Sequence, residues 1–217
     1  MNGVRQARED VAQGYRELGR LGLNFGSAGN VSRRVEGGMV ITRSGTTVDA
    51  TAEADTVWMS LEGAARDDAA PSSEWPMHAA ILRAFPEAGS VVHTHADACT
   101  ALACLGEGLP AFHYMVAGFG GEDVRCAPYV TFGTPELAVV AVEALRGRTA
   151  CLLGNHGMIT TGRDVKAAVA AALRLETLAR QYLLARSAGT PRLLDAAQMQ
   201  ATRERYKTYG SAAPARG

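Results

Sequence analysis

Several things are scarce in this sequence, and each scarcity narrows its reading. Cysteine occurs four times, at Cys99, Cys104, Cys126 and Cys151, and no two form a C-x-x-C pair. The expectation is therefore four reduced, partly buried thiols in a cytoplasmic protein. Charge of either sign is not in excess: Lys+Arg is 22 and Asp+Glu is 22. A nucleic-acid partner would call for a basic face, and none is indicated. Net neutrality does not constrain a single anion pocket. Long apolar runs are missing too: none approaches the ~18 residues of a membrane span. The opening stretch MNGVRQAREDVAQGYREL is charged and lacks the apolar segment of a secretory signal. No internal repeat or low-complexity linker divides the chain.

What is present is an ordinary globular balance. The chain has 217 residues, 47% hydrophobic and 20% charged. That suits one domain that buries its own core without covalent staples. The domain is expected to span 1–210, followed by a disordered tail from Ser211 to Gly217. Val4, Val11, Tyr15, Leu18 and Leu21 recur at helical spacing, and Gly22 follows where a left-handed cap often sits. Met39 to Thr42 reads as a strand. Ser72-Ser73-Glu74-Trp75-Pro76 reads as a helix start with a hydroxyl cap, the helix ending before Pro86. Ser90 to Thr94 and Ala111 to Val116 read as strands, and Asp97 as a cap. Thr134-Pro135-Glu136 opens a helix through Leu145. Ala150 to Leu153 and Met158 to Thr161 flank a turn and read as a hairpin. Asp164 caps a long helix to about Ala188, with Val165, Val169, Leu173 and Leu184 as its core face. A last helix near Asp195 carries Tyr206 and Tyr209. Strands and helices mix without strict alternation. The expected fold is α/β: one sheet, mixed or mostly antiparallel, with helices on its faces.

Three local patterns carry chemistry. In Val91-Val92-His93-Thr94-His95 the two histidines stand at i and i+2, on one face of a strand. His156, in Gly154-Asn155-His156-Gly157, sits at a turn where a third imidazole could converge. Three histidines plus one open or carboxylate-filled position is a catalytic zinc pattern. Two hydrogen-bonded core histidines is the competing reading. Ser27-Ala28-Gly29-Asn30, Ser44-Gly45 and Ser72-Ser73 place hydroxyls and backbone donors in tight turns, which suits a phosphate. Ordinary polar turns is the bland alternative. Glu74, at a helix start, is favoured there by the helix dipole alone, but beside a metal it could be ligand or base. His78, one turn on, reads as a surface or packing residue. His113 points away from Tyr114 and is left outside the metal set.

Together these segments resemble the class II aldolase/adducin-like family, and within it the L-fuculose-1-phosphate aldolases. Seven ordered blocks carry the resemblance: RLGLNFGSAGNVS, PSSEWPMH, VVHTHADACTA, HYMVAGFGG, CAPYVTFGTPEL, LLGNHGMI and YKTYG. It implies a three-layer architecture and a homotetramer with active sites between subunits. It implies Zn2+ on His93, His95 and His156, with Mn2+, Co2+ or Fe2+ also compatible. Glu74 would complete the resting coordination and then act as acid/base. Ser27, Asn30, Ser44, Gly45, Ser72 and Ser73 would hold the substrate phosphate. Tyr114, from a neighbouring subunit, and Tyr209 would reach the same site, and Phe132 would shape the aldehyde pocket. The reaction would cleave a ketose 1-phosphate to dihydroxyacetone phosphate and an aldehyde. The alternatives on this fold are a 4-epimerase, whose relatives carry Asp at the position of Glu74, a metal-dependent decarboxylase or dehydratase, and a non-catalytic adducin-like module. Arg43 stands where relatives carry proline and is expected to point to solvent. Phe25 and Phe119 replace smaller or more polar residues. Were they to face the aldehyde pocket, a 5-deoxy- or 5-methylthio-pentulose 1-phosphate would fit.

Overall fold

The computed structural model describes residues 2–49 and 51–208. In chain order the elements are α1 (Asn2–Arg20), β1 (Asn30–Val35), β2 (Gly38–Thr42), β3 (Thr56–Met59), α2 (Trp75–Ala84), β4 (Ser90–Thr94) and α3 (Asp97–Cys104). Then come β5 (Arg125–Ala127), α4 (Pro135–Leu145), β6 (Ala150–Leu153), β7 (Gly157–Gly162), α5 (Val165–Ala188) and α6 (Ala196–Thr208). Short 3-10 turns cover Glu53–Asp55 and Tyr114–Phe119. The strands form one seven-stranded sheet in the order β3-β2-β1-β4-β7-β6-β5. Each neighbouring pair is antiparallel except β5 and β6, which run parallel.

Successive strand residues point to opposite faces, and both faces here are apolar. Val91, Met39, Ile41, Cys151, Leu153 and Ile159 pack with α2 and α4. Val92, Val40, Leu152 and Met158 pack on the other side with α1, α3 and α5. The result is helices, sheet, helices, in three layers. A sheet covered on both faces explains why β2, β3 and β6 read as nearly continuous apolar runs rather than alternating ones.

Local chemistry sets the element ends. Past α1, Leu23 N donates to Leu18 O and Gly22 N to Gly19 O. Gly22 sits at φ +70, so the helix closes in a Schellman motif with glycine in its left-handed position. Thr134 and Asp164 cap α4 and α5 by accepting from Leu137 N and Ala167 N. Asp97 does not cap α3; Ala96 holds the cap position with no side-chain bond, and Asp97 lies in the first turn.

Three expectations need correction. Ala111 to Val116 is not a strand. His113 caps the 3-10 turn by accepting from Met115 N, and the turn ends at Gly120 with φ +100. The 3-10 turn that begins at Tyr114 takes the place of the extended backbone expected up to Val116. Leu173 and Leu184 leave the core face of α5: Leu173 is 39% exposed and Leu184 63% exposed, whereas Val165 and Val169 are buried. Phe119 is fully buried beneath the Arg174 guanidinium rather than in a substrate pocket.

A candidate metal centre beside a hydroxyl-lined cleft

His93 is the last but one residue of β4 and faces the α2 side of the sheet. Its partners across the ladder are Asn30 on β1 and Ile159 on β7. His95 lies just past the end of β4, and His156 occupies the tight turn between β6 and β7, with Asn155 at φ 52. The three rings meet pairwise, with centroids 4.7 to 4.9 Å apart and planes inclined by 67 to 71°. Their ligand atoms all lie within 4.8 Å of one another.

Glu74 completes the group. It is the N-cap of α2, at φ −95 and ψ 11, in the sparsely populated bridge region where active-site residues recur. Serine does not cap this helix; Ser72 Oγ instead accepts from Glu74 N at 3.3 Å. The carboxylate is buried, with Oε2 3.3 Å from His93 Nε2 and Oε1 3.4 Å from His156 Nε2.

The donor chemistry of this cluster fits a divalent cation. His93 Nδ1 stands 2.9 Å from the Met158 carbonyl, an acceptor only, so Nδ1 carries the proton and Nε2 is left as a bare lone pair. That lone pair faces His95 Nε2 at 2.9 Å and a carboxylate oxygen. Burial pushes all three imidazoles below their ordinary pKa, His156 to about 4, which keeps them neutral and able to ligate. Burial opposes ionisation of Glu74, but the carboxyl is nonetheless held below its usual range, with the Asn30 amide donating to it. Glu74 Oε1 has no hydrogen-bond partner among the described residues. A buried oxygen among converging lone pairs is strongly repulsive unless a cation sits between them.

A cleft of about 490 Å³ opens beside the cluster. Ser27, Asn30, Ser44, Gly45, Ser72, Ser73 and Phe132 line it together with Glu74, His95 and His156. Three turns distant in sequence build its wall. Ser44 N donates to Ala70 O and Ser72 N to Thr42 O, which joins two of them. The buried Tyr15 hydroxyl, on α1, lies 3.0 Å from Ala28 O and 3.2 Å from Thr46 O and braces the third. Burial raises its pKa to about 12, so it stays a donor. Helical periodicity had read Tyr15 only as a core residue. Arg43 is the single Lys or Arg among the described residues that line the cleft; its half-exposed side chain lies 3.8 Å from Asp55.

Residues 9–183 match the family described as Class II Aldolase and Adducin N-terminal domain. The chain belongs to this family. It is 47% identical over 211 residues to the 5-methylthioribulose-1-phosphate/5-deoxyribulose-1-phosphate aldolase of Rhodospirillum rubrum, covering 97% of this chain and 96% of that one. To the L-fuculose phosphate aldolase of Escherichia coli K12 it is 42% identical over 196 residues, covering 89% and 91%. A solved L-fuculose 1-phosphate aldolase superposes with a TM-score of 0.89 at 36% identity, covering 93% and 96%. The protein is an enzyme of the class II aldolase family, a lyase, and the adducin-like non-catalytic reading falls away.

The remaining site expectations divide by position. Tyr114 is 50% exposed and does not line the cleft within its own chain. Phe25 is 70% exposed and does not line it either. Tyr209 and the tail from Ser211 to Gly217 lie outside the described residues. His78 is not on the surface: it is fully buried and bonded on both ring nitrogens.

Proposed function

We propose that this enzyme is a zinc-dependent aldolase that cleaves 5-methylthioribulose 1-phosphate or 5-deoxyribulose 1-phosphate to dihydroxyacetone phosphate and an aldehyde, with L-fuculose 1-phosphate as the alternative substrate. The observation that carries the reading is the convergence of three histidine nitrogens and one buried carboxylate at the edge of a hydroxyl-lined cleft. The choice among ketoses follows the relative at 47% identity. Phe119 gives no support to an apolar aldehyde pocket, because it lies in the core.

His93, His95, His156 and Glu74 would hold the ion. Bound there, a divalent cation supplies Lewis-acid stabilisation of the negative charge that develops on the ketose oxygens as the C3–C4 bond breaks. The serine hydroxyls and turn amides of the cleft, with Arg43 at its wall, anchor the phosphate and so fix the reacting carbons. Glu74 is the acid/base: the electron pair of the broken bond remains on C3, and the carboxylate, having taken up the proton released from the C4 hydroxyl, delivers it there. Tyr114 hydrogen-bonds the C4 oxygen from across a subunit boundary, within a homotetramer, and passes its proton on through the phenol hydroxyl. Its half-exposed ring, absent from its own cleft, suits that role. Phe132, 66% exposed at the cleft, borders the aldehyde. No helix among the described residues is long and apolar enough to cross a membrane, and the four cysteines are free thiols. Both fit a cytoplasmic enzyme acting on a small phosphorylated sugar.

The test is a coupled assay for dihydroxyacetone phosphate with the four ketose 1-phosphates (fuculose, rhamnulose, 5-deoxyribulose and 5-methylthioribulose), with and without chelator. Chelator-sensitive release, fastest from one of the two ribulose derivatives, is expected. Isomerised substrate with no release would replace the aldolase by a 4-epimerase.

A further inference from the structure

Among the buried polar groups that this reaction leaves unused, Ser32 and His78 stand together. Ser32 is on β1, two residues after Asn30, so both side chains face α2. His78 lies on α2, one turn after Glu74. All three of Asn30, Ser32 and His78 are buried, the last two completely.

Their contacts form one chain. Ser32 Oγ is 2.7 Å from His78 Nδ1, and His78 Nε2 is 2.5 Å from Asn30 Oδ1. Asn30 Nδ2 donates to Glu74 Oε2 at 2.8 Å. The direction of every bond follows from the last. An ionised carboxylate only accepts, so the amide group facing it is the NH2. The amide oxygen then faces His78, so Nε2 carries the ring proton. A neutral imidazole has one N–H, so Nδ1 accepts, and the Ser32 hydroxyl donates to it. Burial pushes the pKa of His78 down to about 3 and keeps the ring neutral. Reversing any link would set two acceptors face to face in a buried site.

We propose that Ser32, His78 and Asn30 form a positioning relay that tethers Oε2 of Glu74 and thereby presents Oε1 to the metal and the substrate. This rests on the reading of Glu74 as ligand and acid/base. It also changes the part played by Asn30, whose amide is engaged at both ends and faces the Glu74 carboxylate rather than the substrate phosphate. His78 is a positioning residue; it touches no reacting atom. Filling the position with a plain packing residue would have been simpler. A buried imidazole between a strand and a helix loses its hydration and keeps its place only if its hydrogen bonds are made.

The pair His78→Gln and His78→Asn separates the relay from packing. A glutamine amide reaches the place of Nε2 and can still donate to Asn30; an asparagine amide reaches only the place of Nδ1. In His78→Asn, kcat and the affinity for Zn2+ should each fall about 10- to 100-fold, as for other outer partners of metal ligands. KM should stay within about threefold. In His78→Gln both should recover by about tenfold. Zinc affinity is read by competition with a chromophoric chelator, without turnover. Ser32→Ala, which keeps the imidazole volume, should give a smaller loss in the same two readouts and serves if His78→Asn does not fold. Glu74→Gln is the reference, expected to be inactive. Two results overturn the relay while the Glu74 reading stands: His78→Asn within twofold of wild type in both readouts, or His78→Gln as impaired as His78→Asn. Glu74→Gln with wild-type kcat would instead remove the reading on which the relay rests.

Discussion

Gly22 and Gly29 share one backbone conformation and differ in what surrounds them. Gly22 sits at φ +70 and Gly29 at φ +69. A Cβ on Gly22 would meet nothing within 4 Å. A Cβ on Gly29 would meet the His93 carbonyl oxygen at 2.5 Å and both polar atoms of Asn24 at 2.6 Å. One neighbour is ladder backbone, which cannot step aside; the other is the end of the Asn24 side chain, which no hydrogen bond holds among the described residues. Gly22→Ala should therefore carry only the left-handed penalty, about 1–2 kcal/mol. Gly29→Ala adds overpacking of about 1–3 kcal/mol. In a chain of this size each kcal/mol lowers Tm by about 2–4 °C. The first variant should melt about 2–8 °C below wild type, and the second about 4–20 °C below, by calorimetry of the metal-free proteins. The second should also lose activity, because the clash drives the start of β1 away from β4, where Asn30 stands opposite His93. Equal melting temperatures for the two variants would refute the close-approach argument. An unchanged kcat in Gly29→Ala would refute its link to the site.

Three further outcomes follow. Zn2+ at a hundredfold excess over its Kd should stabilise the metal-free protein by about 2.7 kcal/mol, seen as a rise in Tm that His95→Ala abolishes. The metal-free protein should weaken as pH falls, because His78 (about 3) and His156 (about 4) titrate below the ordinary histidine value. Between pH ~6.5 and those values the unfolded chain binds more protons than the native one, so stability is full above that window and lost through it; denaturant midpoints that stay level from pH 7 to 4 would contradict this. Arg43→Ala should raise KM for the ketose phosphate and the inhibition constant of inorganic phosphate about 5- to 10-fold, the order of one exposed charge-assisted contact, with kcat within about threefold.

The sequence carried more of the site than of the sheet. β4 and the β6–β7 hairpin are legible because short apolar runs dominate them, and the His93/His95 pair because strand geometry aligns i and i+2. β1 was not legible: Arg33 and Arg34 make NVSRRV look like a loop. Arg33 pairs with Asp10 on α1, and Arg34 donates to the carbonyls of Ala88, Leu82 and Phe85. Those partners are remote in sequence, and no local pattern announces them. β5 is three residues long, too short to show a period. The segment from Ala111 to Val116 has strand-like composition, but capping by His113 starts a 3-10 turn at Tyr114 instead. His78 read as inert because its partners become visible only once β1 is placed beside α2. Leu173 and Leu184 were assigned to the core by spacing alone, yet they face outward on a helix whose core face is filled by smaller residues such as Ala168, Ala171 and Ala172.

The four side chains of the metal cluster come from the start of α2, the end of β4 and the β6–β7 turn, and only His93 and His95 are near one another in the chain. The cradle exists once β4 has found β7 across a long sequence separation, among the slower events in assembling a sheet of this kind. An unfolded chain therefore offers an ion little more than two neighbouring histidines. Metal captured after that step acts as a latch rather than a template. It should leave the refolding rate nearly unchanged and lengthen the lifetime of the native state, so that the loaded enzyme outlasts the empty one chiefly by opening more slowly.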